Sequence, residues 1–225
     1  MFHWNRPENH PPGVRPVLHI GVTGHRPPRL SRERFSAVQD AVRLVLEKLA
    51  DEFAEVLTTD PEKSLCVITS LAEGADQLAA RAALDCGMEI QCPLPFHRDE
   101  YERDFPEADA RREYRRLLGY ATTVLELDGN RDDEGTAYLN AGRVMLEQSD
   151  VFLAIWDEGK AGGRGGTAQI VAEARETGIP VIVIQPSAPH DICVLDAENP
   201  NEEWMAVLRK RLRGKPYLPR LRSMR

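Results

Sequence analysis

Six short apolar runs, rich in β-branched residues and each followed by a segment of helical spacing, constrain this chain more than anything else in it. The runs are Val17–Gly24, Ser64–Ser70, Met88–Pro95, Thr122–Leu127, Asp150–Trp156 and Ile179–Ile184. After the first, Phe35, Val38, Val42, Val45, Leu46 and Leu49 recur at the spacing that puts one apolar stripe on a helix, and Ser31 is placed to cap it. Further helices are predicted over Gln77–Asp85, about Arg98–Leu118, Tyr138–Gln148 and Thr167–Glu176. Strands that alternate with helices pair in parallel, because each helix is the crossover that carries the chain back to the same end of the sheet. The fifth run, DVFLAIW, has almost no polar position, which suits a central strand covered on both faces. The expected fold class is α/β: a doubly wound, mostly parallel sheet with helices on both faces.

A chain of 225 residues is enough for one such domain. Residues 1–16 hold four prolines and little apolar content, and are read as a flexible lead-in. The domain is expected over 17–186, with a C-terminal extension over 187–225 whose basic, proline-punctuated end from Arg209 reads as a solvated tail. Thirty-six acidic residues against 29 basic ones leave a net charge of −7. That balance disfavours broad attachment to nucleic acid, which is therefore not expected as a partner. No apolar run approaches the ~18 residues that cross a bilayer, so no membrane partner is expected. The first residues lack a secretory apolar core, so the expected location is cytoplasmic. Cys66, Cys86, Cys92 and Cys193 form no Cys-x-x-Cys pair and read as inert core thiols. The histidines do not cluster, and neither a metal nor a resident cofactor is expected.

In an open parallel sheet, ligands bind at the carboxyl ends of the strands where strand order reverses. Three loops at such ends carry unusual residues. In Thr23-Gly24-His25-Arg26, the glycine allows close approach of a ligand and the arginine offers charge; His25 reads as a hydrogen-bonding partner. In Ser70-Leu71-Ala72-Glu73-Gly74-Ala75-Asp76, Gly74 permits a turn, while Ser70 and Asp76 suit either ligand contact or capping. The third, Gly162-Gly163-Arg164-Gly165-Gly166-Thr167, opens a helix. Its glycines can turn backbone N–H groups toward one point, where the helix dipole favours an anion. Thr167 can cap the helix or reach a phosphate, and Arg164 can add a charged fork. No Gly-Lys-Ser/Thr follows the glycines, and the first loop lacks Gly-x-Gly-x-x-Gly. Kinase, GTPase and ordinary dehydrogenase chemistry are thereby set aside.

Together Gly21-Val22-Thr23-Gly24-His25-Arg26, Ser70 to Asp76, Pro93-Leu94-Pro95-Phe96 with Tyr101 and Asp104-Phe105, and Ser149-Asp150-Val151 through Trp156-Asp157 to Gly165-Gly166-Thr167 resemble the SLOG superfamily. This Rossmann-like group unites the DNA-processing protein A domain with the Lonely Guy phosphoribohydrolases, and the resemblance covers about Val17 to Ile184. It implies a pocket for a small phosphorylated or NAD-derived nucleotide. Phosphate would sit on Gly163, Arg164, Gly165, Gly166 and Thr167. Thr23, Gly24, His25 and Arg26, with Ser70, Glu73, Gly74 and Asp76, would line the ribose or a second phosphate. Asp157 would order the glycine loop or touch the ligand. Sensor members of the group imply a role in bacterial signalling or defence, and a homodimer. The alternative is N-glycosidic hydrolysis of nucleoside 5′-monophosphates, which in the Lonely Guy branch uses a glutamate just after Gly-Thr and an arginine in the preceding helix. Here Ala168, Gln169 and Ile170 follow Thr167, so that glutamate is absent. Glu73, Glu173 and Arg143 remain as catalytic candidates.

Overall fold

All five residues of Val151–Ile155 are buried, and they alternate between two separate apolar clusters. Val151, Leu153 and Ile155 face one cluster, while Phe152 and Ala154 face the other. A strand buried on both sides needs a helical layer on each side, and the rest of the chain supplies them.

The computed structural model describes residues 17–54, 65–158, 164–199 and 202–212. In chain order these give β1 (Leu18–Gly24), α1 (Phe35–Ala54), β2 (Leu65–Ile68), α2 (Ala75–Asp85), β3 (Glu89–Leu94), α3 (Arg98–Tyr101), α4 (Ala108–Tyr120) and β4 (Thr123–Glu126). There follow α5 (Glu134–Glu147), β5 (Val151–Ile155), α6 (Thr167–Glu176), β6 (Val181–Gln185), β7 (Ala188–Val194) and α7 (Trp204–Leu212). The seven strands form one sheet in the order β4-β3-β2-β1-β5-β6-β7. All neighbours are parallel except β7, which runs antiparallel to β6. This is a doubly wound, Rossmann-like α/β fold. One face is covered by α1, α2, α4 and α7, the other by α5 and α6.

Several elements differ from the sequence reading, each for a local reason. The single helical region expected from Arg98 is broken into α3, a 3-10 turn over Glu102–Asp104, and α4. Pro106 disfavours helical geometry at the residue before it, and Phe105 leaves the helix at φ −112° and ψ 82°. Ser31 makes no side-chain cap, because a 3-10 turn over Arg32–Arg34 stands between it and α1. Helix α5 begins ahead of Tyr138, at Glu134, where the Asp133 carboxylate accepts the Thr136 N–H at 3.3 Å.

The largest difference lies at the C-terminal end. Strand β7 extends the sheet past residue 186, with Pro189 on an edge strand where its missing N–H is tolerated. Helix α7 buries Trp204, Met205, Val207, Leu208 and Leu212 in the main cluster, and Arg209 forms a two-pronged ion pair with Glu52 of α1. Arg209 to Leu212 thus belong to the packed domain instead of a solvated tail. The lead-in over 1–16 and the basic stretch over 213–225 lie outside the described residues. Burial pushes the Cys66 thiol up to about 12, which keeps it an unreactive apolar group. Among the described residues no His/Cys/Asp/Glu group could hold a metal ion, and no helix is long and apolar enough to cross a membrane.

If α7 is part of the core, truncating Leu208 leaves a cavity against α1 and the sheet. Leu208→Ala should cost about 2–4 kcal/mol in urea unfolding with the m-value unchanged. A loss below ~0.5 kcal/mol would show that α7 is only loosely attached.

Candidate functional site

Strand order reverses between β1 and β5, because the chain after β1 winds through β2, β3 and β4 on one side and then returns to β1's other edge. A crevice opens above the carboxyl ends of these two strands. Gly24 ends β1 in a space that admits no side chain. A Cβ there would lie 2.4 Å from the Ala75 Cβ of α2 and 2.8 Å from the Ile155 carbonyl oxygen of β5. His25 then links three elements: its N–H donates to the Ile155 carbonyl at 3.0 Å, and its carbonyl accepts the Ala75 N–H at 3.1 Å. Its ring Nε2 lies 2.7 Å from Asp157 Oδ1. This contact bridges the reversal point directly.

The loop after β2 is held from beneath by buried polar side chains. The Ser70 hydroxyl donates to the Pro93 carbonyl at 2.8 Å, and the Gln77 amide donates to the Leu71 carbonyl at 3.3 Å. Leu71 is fully buried at φ +59°, a left-handed conformation that costs a non-glycine residue about 1–3 kcal/mol. The Leu71 N–H donates to Thr69 Oγ1 at 3.3 Å, and the Ala72 N–H donates to Asp76 Oδ2 at 3.4 Å. Asp76 is itself buried. Burial pushes its carboxyl up to about 6, against the opposing influence of Arg26 and of hydrogen bonds from Thr69, Ala72 and Ser70.

The third loop crosses α5. Gly165 sits at φ +75°, and a Cβ on it would lie 2.7 Å from the Leu139 nitrogen and 2.9 Å from the Gly135 carbonyl oxygen. Its N–H donates to Gln169 Oε1 at 2.9 Å, and Gln169 Nε2 donates onward to Glu173 Oε1 at 3.2 Å. Gly166 has an ordinary φ of −75° and is the N-cap residue of α6. The first turn of α6 carries no acidic side chain, so its unpaired N–H groups present an uncompensated positive dipole end.

A cavity of about 340 Å³ lies between these loops. Its lining brings together Thr23, Gly24, His25, Arg26, Ser70, Asp76, Gly165, Gly166 and Thr167. Other residues expected at the site fall outside that lining. Glu73 pairs with Arg32 at 2.9 Å, and Gly74 is the N-cap residue of α2. Asp157 Oδ1 lies against the His25 ring, which does line the cavity. Arg164 is largely exposed and lies 3.9 Å from Asp133. Gly163 lies outside the described residues. Arg143 and Glu173 face each other across α5 and α6 in a two-pronged ion pair of 2.8 and 2.9 Å, away from the cavity lining. That pair holds Glu173 below the usual carboxylate range, chiefly through the hydrogen bonds from Arg143.

The cavity also holds residues that sequence reasoning did not assign to it. Tyr101 of α3 and Trp156 after β5 line the cavity. The Tyr101 hydroxyl and the Trp156 Nε1 are buried without a hydrogen-bond partner among the described residues. Tyr138 of α5 lines it too, donating its hydroxyl to Asp104 Oδ2 at 2.5 Å and lying 5.2 Å beneath the Arg26 guanidinium. Burial, then the Asp104 hydrogen bond, pushes the Tyr138 phenol up to about 12. An aromatic residue on a helix gives no periodic signal that separates a cavity wall from a core position.

Fold and cavity together define a Rossmann-like α/β domain with a ligand-sized crevice at its point of strand reversal. No family model and no curated protein matches the chain. Among solved structures, DNA processing protein A from Streptococcus pneumoniae aligns at 16% identity and a TM-score of 0.48, over 74% of this chain and 50% of its own. The Helicobacter pylori protein of that name, described for its single-stranded DNA binding mode, aligns at 15% identity and a TM-score of 0.48, over 75% of this chain and 65% of its own. The molybdenum cofactor carrier protein of Chlamydomonas reinhardtii aligns at 16% identity and a TM-score of 0.43, over 74% of this chain and 76% of its own. This chain therefore spans half of the first protein and 65% of the second. At these identities the likeness is one of fold.

The comparison corrects one expectation. Nucleic acid was set aside because the chain is acidic overall, yet a protein of this fold is described as binding single-stranded DNA. Net charge sums over a whole surface, whereas a strand is held by the local charge of one groove, so a total of −7 gives no ground for excluding nucleic acid.

The buried Asp76 makes stability depend on pH. Its carboxyl is raised in the folded state, so the native protein holds this proton to a higher pH than the unfolded chain does. The contribution is present below the ordinary carboxyl range and is lost as pH rises through about 6. Chemical unfolding should show the wild type losing roughly 1–2 kcal/mol from this group between pH ~5 and ~7.5, relative to Asp76→Asn. Parallel pH curves for the two proteins would contradict it.

Proposed function

We propose that this chain binds a small phosphorylated nucleotide at the β1–β5 crevice, with a phosphate on the N-terminus of α6. One observation carries the reading. The first turn of α6 has no acidic side chain, and its Gly165-Gly166-Thr167 entry lines the cavity at the strand reversal. Unpaired N–H groups and an uncompensated dipole favour an anion there. The donor-only indole N–H of Trp156, buried without an acceptor among the described residues, calls for an acceptor-bearing ligand as well. The lead assignment from the superfamily resemblance is an adenine or NAD-derived nucleotide sensed in a bacterial signalling or defence setting. Glu73, Glu173 and Arg143 are engaged in ion pairs and are not among the residues that line the cavity, which favours binding over the hydrolytic alternative.

Thr167→Glu separates the site from the fold. A carboxylate in the first helical turn complements the dipole and leaves the helix as stable or up to ~1 kcal/mol more stable, while repelling an anion. Wild-type protein should gain a few degrees of thermal stability from at least one of AMP, NAD, ADP-ribose or cyclic ADP-ribose at about 100 times its dissociation constant, worth about 2.7 kcal/mol. Thr167→Glu should lose that shift. A shift of equal size in both proteins would remove α6 from the binding site.

A further inference from the structure

The start of α6 meets the cavity with every residue but one. Gly165, Gly166, Thr167, Ala168 and Ile170 line it, and Gln169 does not. The Gln169 side chain turns behind the loop, where its Oε1 accepts the Gly165 N–H at 2.9 Å. The backbone N–H groups of Gln169 and Ile170 both go to the Gly166 carbonyl, at 3.0 and 3.2 Å. Those of Thr167 and Ala168 precede these first helical bonds and are the ones left to meet an anion.

Each bond behind the loop fixes the polarity of the next. Arg143 donates to both oxygens of Glu173, at 2.8 and 2.9 Å, and so keeps that carboxyl ionised. An ionised carboxylate only accepts. The Gln169 amide therefore presents its Nε2 to Glu173, at 3.2 Å, and its oxygen to Gly165. Turned the other way, the amide would set an oxygen against Glu173 and an NH2 against the Gly165 N–H, and both bonds would be lost. Gly165 is thereby held at φ +75° on the backbone of α5, which sets the direction of the peptide groups that follow it. Arg143 is half-exposed, so the chain of bonds runs from the protein surface to the anion-facing turn.

We propose that Gln169 is a positioning residue for the anion on α6, that the Arg143–Glu173 pair sets its orientation, and that the position requires an amide. The inference rests on the phosphate reading for α6 and adds what controls the affinity of that end. Leucine at 169 leaves the Gly165 N–H without its acceptor. Glutamate there puts a carboxylate oxygen where Nε2 now lies, 3.2 Å from Glu173 Oε1. Like charges then meet, and a negative charge stands just inside the helix end that receives the anion.

The experiment is calorimetry of the full chain with inorganic phosphate, read beside the Gly165 amide signal in the NMR spectrum of the ligand-free protein. Gln169→Leu should weaken phosphate binding about fivefold or more, the size of one lost hydrogen bond, and Gln169→Glu about tenfold or more. Glu173→Ala should weaken it about threefold or more, while Glu173→Gln keeps an acceptor for the Gln169 amide and should stay within about twofold of wild type. Without ligand, the Gly165 amide proton should move upfield in Gln169→Leu and in the same direction in Glu173→Ala. Phosphate affinity unchanged in Gln169→Leu overturns the proposal and leaves the α6 reading in place. So does an unmoved Gly165 amide in Glu173→Ala, or an equal loss of affinity in Glu173→Ala and Glu173→Gln. Failure of wild type to bind phosphate removes the α6 reading and this inference with it.

Discussion

Strands β1 and β5 lie side by side with their crossovers leaving in opposite directions, and the gap above their ends must be closed without filling it. The amino ends are sealed by polar contacts: the His19 N–H donates to Asp150 Oδ2 at 3.0 Å, and the Asp150 N–H donates to the His19 carbonyl at 2.9 Å. The carboxyl ends are joined through the His25 backbone to Ile155 and through its ring to Asp157. Because Gly24 has no side chain, α2 can press its first turn against β1, and only then does Asp76 reach the cavity. One missing methyl group thus decides how close the second loop stands to the reversal point. The third loop depends on a similar constraint, since Gly165 must lie on the backbone of α5 for α6 to begin where it does.

The site is built from groups that lower stability where they stand. A buried carboxyl, a buried phenol without a partner and a left-handed Leu71 each cost free energy of order 1–3 kcal/mol. The surrounding structure over-determines them. Arg131 binds Glu100, Asp104 and Glu134 at 2.7 to 2.9 Å and lies 4.0 Å from the centre of the Phe96 ring. Asp104 in turn accepts from Tyr138 and lies 3.9 Å from Arg26. This network fixes the aromatic wall of the cavity from outside it. Behind the third loop, Arg143, Glu173 and Gln169 form a chain that ends on the Gly165 N–H. Two residues read from sequence as catalytic candidates, Arg143 and Glu173, thus form part of the bracing of this loop.

The fold was legible because its signal is periodic. Strand β5 reads as a central strand from composition alone, and its residues do divide between two helical layers. Strand β7 and helix α7 escaped because they lack that signal: Ala188–Val194 includes Pro189, His190 and Asp191 on an edge strand, and α7 ends in a basic triplet that resembles a solvated tail. The loops of the site were legible through Gly24, Gly165 and Thr167, whose types are dictated by close approach and by a helix start. Tyr101, Tyr138 and Trp156 were not, since a buried aromatic residue on a short helix or at a strand end looks the same whether it packs or binds. Likewise the pairing of Arg143 with Glu173, thirty residues apart in sequence, depends on how α5 and α6 lie against each other.

The polarity of the cavity follows from the same geometry. In a doubly wound sheet the helices that follow neighbouring strands aim their N-termini at the reversal point, so two positive dipole ends converge on one crevice. Left bare, both would draw anions and neither would orient a ligand. Here Asp76 neutralises the α2 end from within the helix, while α6 carries no acid in its first turn and keeps its end bare. The asymmetry comes from one side chain in the first turn of one helix.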